Sequence, residues 1–246
     1  MRIVIAGGHG QIALRLTRLL AARGDEVVGL VRNPDHISDV EAAGGHGLVL
    51  DLEHSSLTEV VGALQGADAV VFAAGAGPGS GAARKDTVDR GAAVLLADAA
   101  EAAGVRRYLL VSSMGADRPD QAPDEVFGAY LRAKAASEAD VRAREALDST
   151  ILRPGGLTDD PGTGRVRLEP SVPRGRVTRD DVAAVLVALL DEPSTAGLTL
   201  ELVQGEDLVD AAVQAAGRGE PGDASAHAIE AEAAAVRPRG RHRAED

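Results

Sequence analysis

A tyrosine and a lysine four positions apart could carry out acid–base chemistry together. Tyr130 and Lys134 lie in the sequence Tyr-Leu-Arg-Ala-Lys, inside a long segment whose apolar residues have helical spacing. Side chains at positions i and i+4 of a helix emerge on the same face, one turn apart. A phenol with a pKa of about 10 exchanges protons poorly at neutral pH, and a neighbouring ammonium favours its phenolate form. The pair therefore predicts a tyrosine acid–base site that a lysine supports.

Two serines at the end of a predicted strand could contact a substrate carbonyl. Ser112 and Ser113 follow a run of apolar residues, Tyr-Leu-Leu-Val. A hydroxyl at this point could donate a hydrogen bond to a carbonyl oxygen of a substrate. Serines at strand ends also hydrogen-bond to the backbone in many proteins, so both interpretations stay open for each serine.

A glycine-rich turn near the N-terminus could hold a dinucleotide. The sequence Gly-Gly-His-Gly-Gln-Ile-Ala follows the first predicted strand and opens a helix. Gly7, Gly10 and Ala13 have the spacing at which a turn without bulky side chains brings backbone N–H groups and a helix N-terminus to a pyrophosphate. The strand–turn–helix context predicts a cofactor site. We expect His9 to contact phosphate through its backbone, not to act as an acid or base.

The ends of the next strands supply further candidate cofactor residues. Arg32 ends the second predicted strand, where a cation suits the 2′-phosphate of NADP and a carboxylate would suit NAD. NADP is therefore predicted, with NAD as the alternative, because Arg32 could also be a solvated strand-end arginine. Asp51, after the third strand, is placed to meet adenine or to cap a helix. Ala73, Ala74 and Gly75 provide small residues where a cofactor must approach the backbone.

The scaffold that positions these residues is an alternation of two kinds of segment. Short β-branched runs alternate with longer Ala- and Leu-rich stretches, which is typical of parallel strands joined by crossover helices. The predicted strands are residues 2–6, 26–32, 47–51, 68–73, 107–112, 150–153 and 198–203. The predicted helices are residues 11–23, 35–43, 56–64, 84–103, 124–147 and 179–190. The chain is therefore predicted to be an α/β protein, with a doubly wound Rossmann-type parallel sheet of about seven strands.

Two segments interrupt this alternation. Residues 157–177 are rich in proline and glycine, and we expect a loop or small lid there. From residue 217 onward the chain has almost no large apolar residues and ends in an arginine-rich stretch. A solvated, disordered tail and a basic arm for an acidic partner are both open for residues 217–246. Residues 1–216 are predicted to form a single NAD(P)-binding domain.

Five motifs occur in an order that resembles a known family. They are Gly-Gly-His-Gly-Gln-Ile-Ala, Val-Ser-Ser-Met-Gly-Ala-Asp, Tyr-Leu-Arg-Ala-Lys, Leu-Arg-Pro-Gly-Gly-Leu-Thr-Asp-Asp-Pro-Gly-Thr-Gly and Thr-Arg-Asp-Asp-Val-Ala. The chain resembles atypical short-chain dehydrogenases/reductases, in the branch of NAD(P)H-binding, NmrA-like and biliverdin-reductase-B-like proteins. The resemblance covers residues 1–210, approximately, and several members of this branch bind cofactor without demonstrated turnover.

The resemblance implies roles for individual residues. Ser113, Tyr130 and Lys134 would form the catalytic Ser-Tyr-Lys group, with Lys134 also bound to the nicotinamide ribose. The interval between Ser113 and Tyr130 is longer than the commonest one in the family. The implied cofactor contacts are Gly7, Gly10, Gln11 and Ile12 at the pyrophosphate, Arg32 at the 2′-phosphate, Asp51 and Leu52 at adenine, Ala73, Ala74 and Gly75 at the adjoining ribose and phosphate, and Pro154 and Gly155 beside the nicotinamide.

Composition excludes several classes of function. The net charge of −12 disfavours nucleic acid as a partner, and the absence of cysteine excludes disulfides and thiolate metal sites. The six histidines lack paired-ligand spacing, so no metal site is expected. The longest apolar runs fall short of the roughly 20 residues that a membrane span needs. Because no signal peptide is evident, we expect a cytoplasmic protein without membrane contact.

The sequence is compatible with three functions. The first is an NADP-dependent oxidoreductase that transfers hydride to a small carbonyl or quinone-like acceptor, as a monomer or small homo-oligomer. The second is an NAD(P)-sensing regulatory protein, which needs the cofactor site without the tyrosine chemistry. The third, a nucleotide-sugar epimerase or dehydratase, is disfavoured because the chain after Pro154 is short for a large substrate domain. With two Phe, two Tyr and no Trp, no large aromatic clamp for a planar substrate is expected.

Overall fold

The computed structural model describes residues 1–75, 77, 82–220 and 222, and a nine-stranded sheet lies at its centre. The strands are β1 (Arg2–Ala6), β2 (Glu26–Val31), β3 (His46–Val49), β4 (Ala69–Phe72), β5 (Arg107–Val111), β6 (Asp148–Pro154), β7 (Gly156–Thr158), β8 (Arg165–Glu169), β9 (Arg176–Thr178), β10 (Thr199–Gln204) and β11 (Asp207–Leu208). The helices are α1 (Gln11–Arg23), α2 (Ile37–Ala42), α3 (Leu57–Ala63), α4 (Ala82–Lys85), α5 (Ala93–Ala103), α6 (Glu125–Arg142), α7 (Arg179–Asp191) and α8 (Val209–Arg218), with a π-helix at Asp86–Ala92 between α4 and α5. The predicted Rossmann-type α/β fold is confirmed, with somewhat more strands than expected.

The order of the strands determines where a ligand can bind. The central sheet runs β11-β8-β10-β6-β5-β4-β1-β2-β3, and β1 pairs in parallel with both β2 and β4. The chain therefore builds the sheet outward from β1 in one direction and then returns to β4 on the other side of β1. Ligands of open parallel sheets bind outside the carboxyl ends of the strands at such a switch point. The glycine turn after β1 and the small residues after β4 meet at this point.

The core lies on both faces of the sheet. In β1, Ile3 and Ile5 point to one face and Val4 and Ala6 to the other, as the two-residue period of a strand requires, and all four are fully buried. Ile3 and Ile5 pack in a cluster with residues of α1, α7 and α8. Val4 and Ala6 pack in a second cluster with residues of α3 and α5. This double layer of helices holds the strand ends that form the site.

Three helix ends follow the sequence prediction. Gly24 and Gly104 end α1 and α5 in the left-handed conformation, with φ of 90° and 74°. Thr178 begins α7, and its Oγ1 accepts a hydrogen bond of 2.9 Å from the Asp181 N–H. Such a cap contributes about 1 kcal/mol to helix stability.

The prediction of an irregular loop over residues 157–177 is wrong for three pieces of that segment. β7 and β9 pair with each other in parallel, and β8 enters the central sheet antiparallel to β10 and β11. The physical reason is the alternation in β8, where Val166 and Leu168 are buried between more exposed charged residues. Five residues of alternation are enough to pair with an existing sheet edge, although the flanking prolines and glycines conceal them in the sequence.

Helix α8 was not predicted either. It packs Ala212, Val213 and Ala216 into the core beside α7. The first two residues of the predicted tail, Gly217 and Arg218, belong to this helix, and a Cβ on Gly217 would lie 2.0 Å from the Ser194 Oγ. Most of the predicted tail, residues 221 and 223–246, lies outside the described residues. Its disorder and the domain boundary at residue 216 stay predictions.

Candidate functional site

The glycine turn packs its backbone directly against two neighbouring segments. Gly7 has a φ of +79°, and a Cβ there would lie 2.7 Å from the Ala74 Cα. A Cβ on Gly8 would lie 2.6 Å from the Gly29 Cα. These approaches require glycine, since any side chain would push the turn away from the ends of β2 and β4. The turn is therefore a cradle of bare backbone at the switch point of the sheet.

The first turn of α1 faces this cradle. Gly10 is the N-cap of α1, and among the described residues no side chain caps its N–H groups. The first turn also carries no acidic residue. The N–H groups at Gln11 and Ile12 and the positive end of the helix dipole are thus available to an anion. This combination fits the pyrophosphate of a dinucleotide.

A first cavity of about 270 Å³ opens beside the turn. Its walls come from the segments that follow β1, β2, β3 and β4, as the sequence predicts for a cofactor site. The predicted cofactor residues that line it are Gly7, His9, Gly10, Arg32, Asp51, Leu52, Ala73, Ala74 and Gly75.

Two arginines in the first cavity share one carboxylate. The Glu53 Oε2 lies 3.2 Å from the Arg32 Nη1 and 2.9 Å from the Arg84 Nη2. The Thr87 Oγ1 donates a further hydrogen bond of 2.7 Å to the other oxygen of Glu53. Sequence reasoning missed Glu53 and Arg84, because neither stands at a fixed interval from Arg32. The arginine pair could hold a phosphate, and Glu53 competes with that phosphate for both cations.

The side chain of His9, in the glycine turn, contacts two residues in and before α2. The His9 Nε2 lies 2.8 Å from the Asp39 Oδ2, and the His9 ring stacks on His36 at 3.6 Å between centroids. The imidazole is thereby tied to the segment around α2. Its predicted backbone contact with phosphate stays a prediction.

Asp51 is engaged within its own turn. Its carboxylate accepts a hydrogen bond of 3.0 Å from the Glu53 N–H and lies 3.0 Å from the His54 Nδ1. Although partial burial opposes ionisation, these hydrogen bonds lower the pKa of Asp51 below its ordinary value. Asp51 lines the first cavity, and its contact with adenine stays a prediction.

A second cavity of about 710 Å³ adjoins the first, and Gly75 lines both. Ser113, Tyr130, Pro154 and Gly155 line it, so the candidate catalytic and nicotinamide residues come together here. A Cβ on Gly155 would lie 2.4 Å from a backbone oxygen, which makes this part of the wall bare backbone. The longer interval between Ser113 and Tyr130 is taken up by the loop before α6 and still brings both residues to one cavity.

The two candidate serines have different surroundings. Ser113 lines the second cavity, and its Oγ lies 3.4 Å from the Met114 carbonyl oxygen. Ser112 instead donates a hydrogen bond to the fully buried carboxylate of Glu138. Glu138 also pairs with Arg153 at 2.6 Å, and this hydrogen bond raises the pKa of the Arg153 guanidinium. Ser112 therefore belongs to a buried structural network, and Ser113 is the serine that a ligand can reach.

The two tyrosines also differ. Tyr130 lines the second cavity, with the Phe127 ring 5.6 Å away. Tyr108 is fully buried, and its hydroxyl donates a hydrogen bond of 3.2 Å to the Ala93 carbonyl oxygen. Burial raises the pKa of Tyr108. Tyr130 is therefore the candidate for proton transfer, and the gathering of Phe127 and Tyr130 gives the cavity more aromatic surface than the composition suggests.

Both lysines of the chain lie near the Tyr130 ring. The Lys134 Nζ is 5.8 Å from the ring centroid, but it is 97% buried and does not line either cavity. It pairs with Asp89 at 3.2 Å and donates to the Val111 carbonyl oxygen at 3.0 Å. The Lys85 Nζ is 5.2 Å from the same centroid and lines the second cavity. The ammonium that faces the cavity is thus that of Lys85, which sequence reasoning did not select.

The π-helix explains how Asp89 reaches Lys134. The sequence predicts one regular helix over residues 84–103, whereas residues Asp86–Ala92 form π-helical turns. The wider turn changes which side chains face inward, and Asp89 is fully buried. Because π-helical turns are not evident from apolar periodicity, the partner of Lys134 could not be predicted.

Among the residues that the structure describes, no group of three or more His, Asp or Glu side chains could hold a metal ion. Within the same residues, no helix is both long and apolar enough to cross a bilayer.

The sequence of the chain matches the model of a known protein family. The model of the NAD(P)H-binding family matches residues 7–193, which include the glycine turn and all described residues that line the two cavities. The chain belongs to the NAD(P)H-binding family. The resemblance to atypical short-chain dehydrogenases/reductases is thereby confirmed, and the family's general character is that of a nicotinamide-nucleotide-binding oxidoreductase.

Individual relatives are similar over most of their length. The protein named uncharacterized sugar epimerase YhfK of Bacillus subtilis is 34% identical over 207 residues, covering 84% of this chain and 95% of the relative. A solved structure of a putative NAD-dependent epimerase/dehydratase from Bacillus halodurans is 35% identical with a TM-score of 0.81, covering 87% of this chain and 99% of that one. The structure of ChuY, an anaerobillin reductase from Escherichia coli O157:H7, is 26% identical with a TM-score of 0.71, covering 83% of this chain and 97% of that one.

Proposed function

We propose that this protein is an NADP(H)-dependent oxidoreductase that reduces a small carbonyl or quinone-like acceptor. The observation that carries the proposal is the junction of the two cavities at Gly75. One cavity is lined by the residues expected to bind a nucleotide, and the other by a serine and a tyrosine suited to acid–base work. A cofactor that spans the junction brings its reactive end to the tyrosine.

The candidate cofactor residues fall into two groups, one for the pyrophosphate and one for the nicotinamide. The pyrophosphate would lie on the glycine turn at Gly7 and Gly10, against the N-terminus of α1. The nicotinamide would lie beside Pro154 and Gly155, and when bound it supplies a hydride. Bare backbone at Gly7 and Gly155 allows the close approach that the pyrophosphate and the nicotinamide need.

The residues of the second cavity would handle the acceptor oxygen. Tyr130 donates a proton to this oxygen as negative charge develops on it, and Ser113 donates a hydrogen bond to the same atom. The Lys85 ammonium, 5.2 Å from the ring, stabilises the charge that proton transfer leaves on the phenolate. Lys134 has a positioning role, because its ion pair with Asp89 joins α6 to the π-helix beneath the Tyr130 ring. Its hydrogen bond to the ribose stays a prediction.

The choice of NADP over NAD rests on two cations. Arg32 and Arg84 both line the first cavity and could bind a 2′-phosphate together. Glu53 neutralises part of their charge and could accept a hydrogen bond from a 2′-hydroxyl of NAD. We therefore expect a preference for NADP(H) that Glu53 limits.

A second candidate function is epimerisation or dehydration of a sugar. The names of the Bacillus subtilis and Bacillus halodurans relatives favour it, and a tyrosine beside a nicotinamide could serve a transient oxidation as well. Against it, β8, β10, β11 and α8 follow Pro154 and join the central sheet or its helix layer, so the described residues contain no separate domain for a large sugar nucleotide.

One set of measurements tests these functions and the sensing alternative. Calorimetry first measures binding of NADPH and NADH to the purified protein. Nicotinamide absorbance is then followed with quinones, aldehydes and ketones, and product analysis is carried out with nucleotide sugars. Stoichiometric loss of NADPH with an acceptor supports the oxidoreductase. Conversion of a sugar without net loss supports the epimerase, binding without either reaction supports a sensor, and absence of nucleotide binding overturns the proposal.

A further inference from the structure

The charge of the second cavity is opposite in sign to that of the protein. The chain carries a net charge of −12, yet Lys85, Arg174 and Arg179 line the second cavity against one carboxylate, Asp89. That carboxylate is fully buried and already pairs with Lys134, a further cation. A cleft lined by one sign of charge concentrates ligands of the opposite sign. The local reversal therefore points to an anionic ligand.

Two of these cations have no carboxylate to balance them within the described part of the chain. Arg179 pairs with Asp159 at 3.0 Å. No ion pair is found for Lys85 or Arg174 among the described residues. Lys85 is 92% buried, and its Nζ lies 5.2 Å from the centroid of the Tyr130 ring. A desolvated ammonium gains most from an anion brought to it, because the local dielectric is low.

Much of the remaining wall is apolar. Met114, Leu131 and Pro123 line the second cavity together with Phe127 and Leu157. Phe127 and Leu157 remain 39% and 38% exposed, more than large apolar residues of a folded core. Such side chains at a cavity are suited to cover the apolar body of a ligand. The cavity volume of about 710 Å³ lies within the range of small-molecule sites.

We propose that the acceptor of this protein is an amphiphilic anion, with an apolar body that lies against Phe127 and Leu157 and a carboxylate or phosphate that Arg174 and Lys85 bind. The inference rests on the proposed function, since the acceptor cavity is the one that Tyr130 lines. It narrows the class of acceptor from any carbonyl or quinone to those that carry a negative charge. Neutral acceptors of the same size would enter without the charged contacts and bind more weakly.

The test uses probes that share a naphthyl body and differ in their polar group. Binding of 2-naphthoate, 2-naphthamide and 2-naphthyl phosphate is measured by calorimetry on the full chain saturated with NADP⁺, so that the first cavity cannot take the anion. We expect at least one anion to bind about tenfold or more tightly than 2-naphthamide, in line with a charge-assisted hydrogen bond, and the preference to fall at high salt. The better of the two anions identifies carboxylate or phosphate as the preferred group.

Two arginines in the same segment provide a variant and its control. Arg174→Ala should remove most of the preference for the anion, whereas Arg176→Ala should keep it, because both arginines are exposed but Arg176 does not line either cavity. Equal binding of naphthamide and both anions, or no binding of any probe, overturns the inference, as does an unchanged preference in Arg174→Ala. If NADP⁺ itself does not bind, the proposed function fails first, and the same probe series on the free protein still decides whether Arg174 selects anions.

Discussion

The two cavities of the site differ in how the chain builds them. The first cavity is formed mainly by short stretches at the carboxyl ends of β1, β2, β3 and β4, with Arg84 and the π-helix closing one side, and its shape depends on bare backbone at Gly7 and Gly10. The second cavity draws Lys85, Tyr130 and Arg174 from three distant parts of the sequence. The first depends on where strands end, which a sequence pattern indicates. The second cavity depends on the orientation of individual side chains, which no sequence pattern indicates.

The pair Tyr130 and Lys134 shows the same difference within one helix. Their spacing correctly places both residues on one face of α6, yet only Tyr130 lines a cavity. Lys134 turns toward Asp89, which the π-helix brings to the interior. Helical spacing thus fixes the face of a residue but not its partner. Variants of the second cavity's lining and floor can therefore be compared with variants of the first cavity.

The largest effect is expected when the buried ion pair beneath the second cavity is broken. Lys134→Met removes the ammonium from the fully buried Asp89, and the free energy of unfolding should fall by about 3–5 kcal/mol. The double variant Lys134→Met/Asp89→Leu should recover part of this loss, because the buried carboxylate that has lost Lys134 is then removed as well. Urea denaturation followed by circular dichroism measures both variants.

A solvent-exposed ion pair provides the control for this prediction. Arg106 pairs with Asp148 at 2.9 Å, and its side chain is 60% exposed. Arg106→Met should change the unfolding midpoint far less than Lys134→Met, since exposed pairs contribute little. Similar midpoints for the two single variants would show that the Lys134 pair does not support the floor of the second cavity.

The next effect concerns the rate of the reaction. Tyr130→Phe should reduce turnover of an acceptor by about 10² or more while NADPH affinity changes only a few-fold, because the variant removes a proton donor and leaves the first cavity intact. Tyr108→Phe is the matched control, since its buried hydroxyl bonds to the Ala93 carbonyl oxygen and faces neither cavity. That variant should lose about 1 kcal/mol of stability and keep its rate. Turnover is followed by nicotinamide absorbance, and a near-full rate for Tyr130→Phe rejects the tyrosine as proton donor.

A smaller effect is expected in the first cavity alone. Glu53→Gln frees Arg32 and Arg84 from a carboxylate, so NADPH should bind about tenfold more tightly relative to NADH. Arg32→Ala and Arg84→Ala should each shift the ratio in the opposite direction. Calorimetry measures both cofactors, with Glu59→Gln in the α3 capping box as a control outside the cavity. An unchanged ratio in Glu53→Gln would mean that the 2′-phosphate lies elsewhere.

The successes and failures of the sequence analysis have physical causes. The seven predicted strands all occur in the central sheet, because each is a short apolar run between clear turn residues. β8 was missed because its alternation spans only five residues within a segment rich in proline and glycine. Glu53, Arg84 and Lys85 were missed because an ion pair or a ring contact between distant residues leaves no spacing in the sequence.

The smallest effect is expected when the C-terminal residues are removed, because this change should alter neither cavity. Gly219 ends α8 in the left-handed conformation, and a Cβ on Gly222 would lie 2.1 Å from the Asp207 Oδ2, so the chain packs on the domain up to this point. Residues 223–246 are poor in large apolar side chains and bring too little apolar area to offset the entropy of ordering them. A chain that ends at Gly222 should therefore keep its melting temperature and its NADPH affinity, measured by calorimetry. A chain that ends at Arg218 loses the cap of α8 and should melt at a slightly lower temperature. If the chain that ends at Gly222 lost several degrees of melting temperature, the tail would have to pack on the domain.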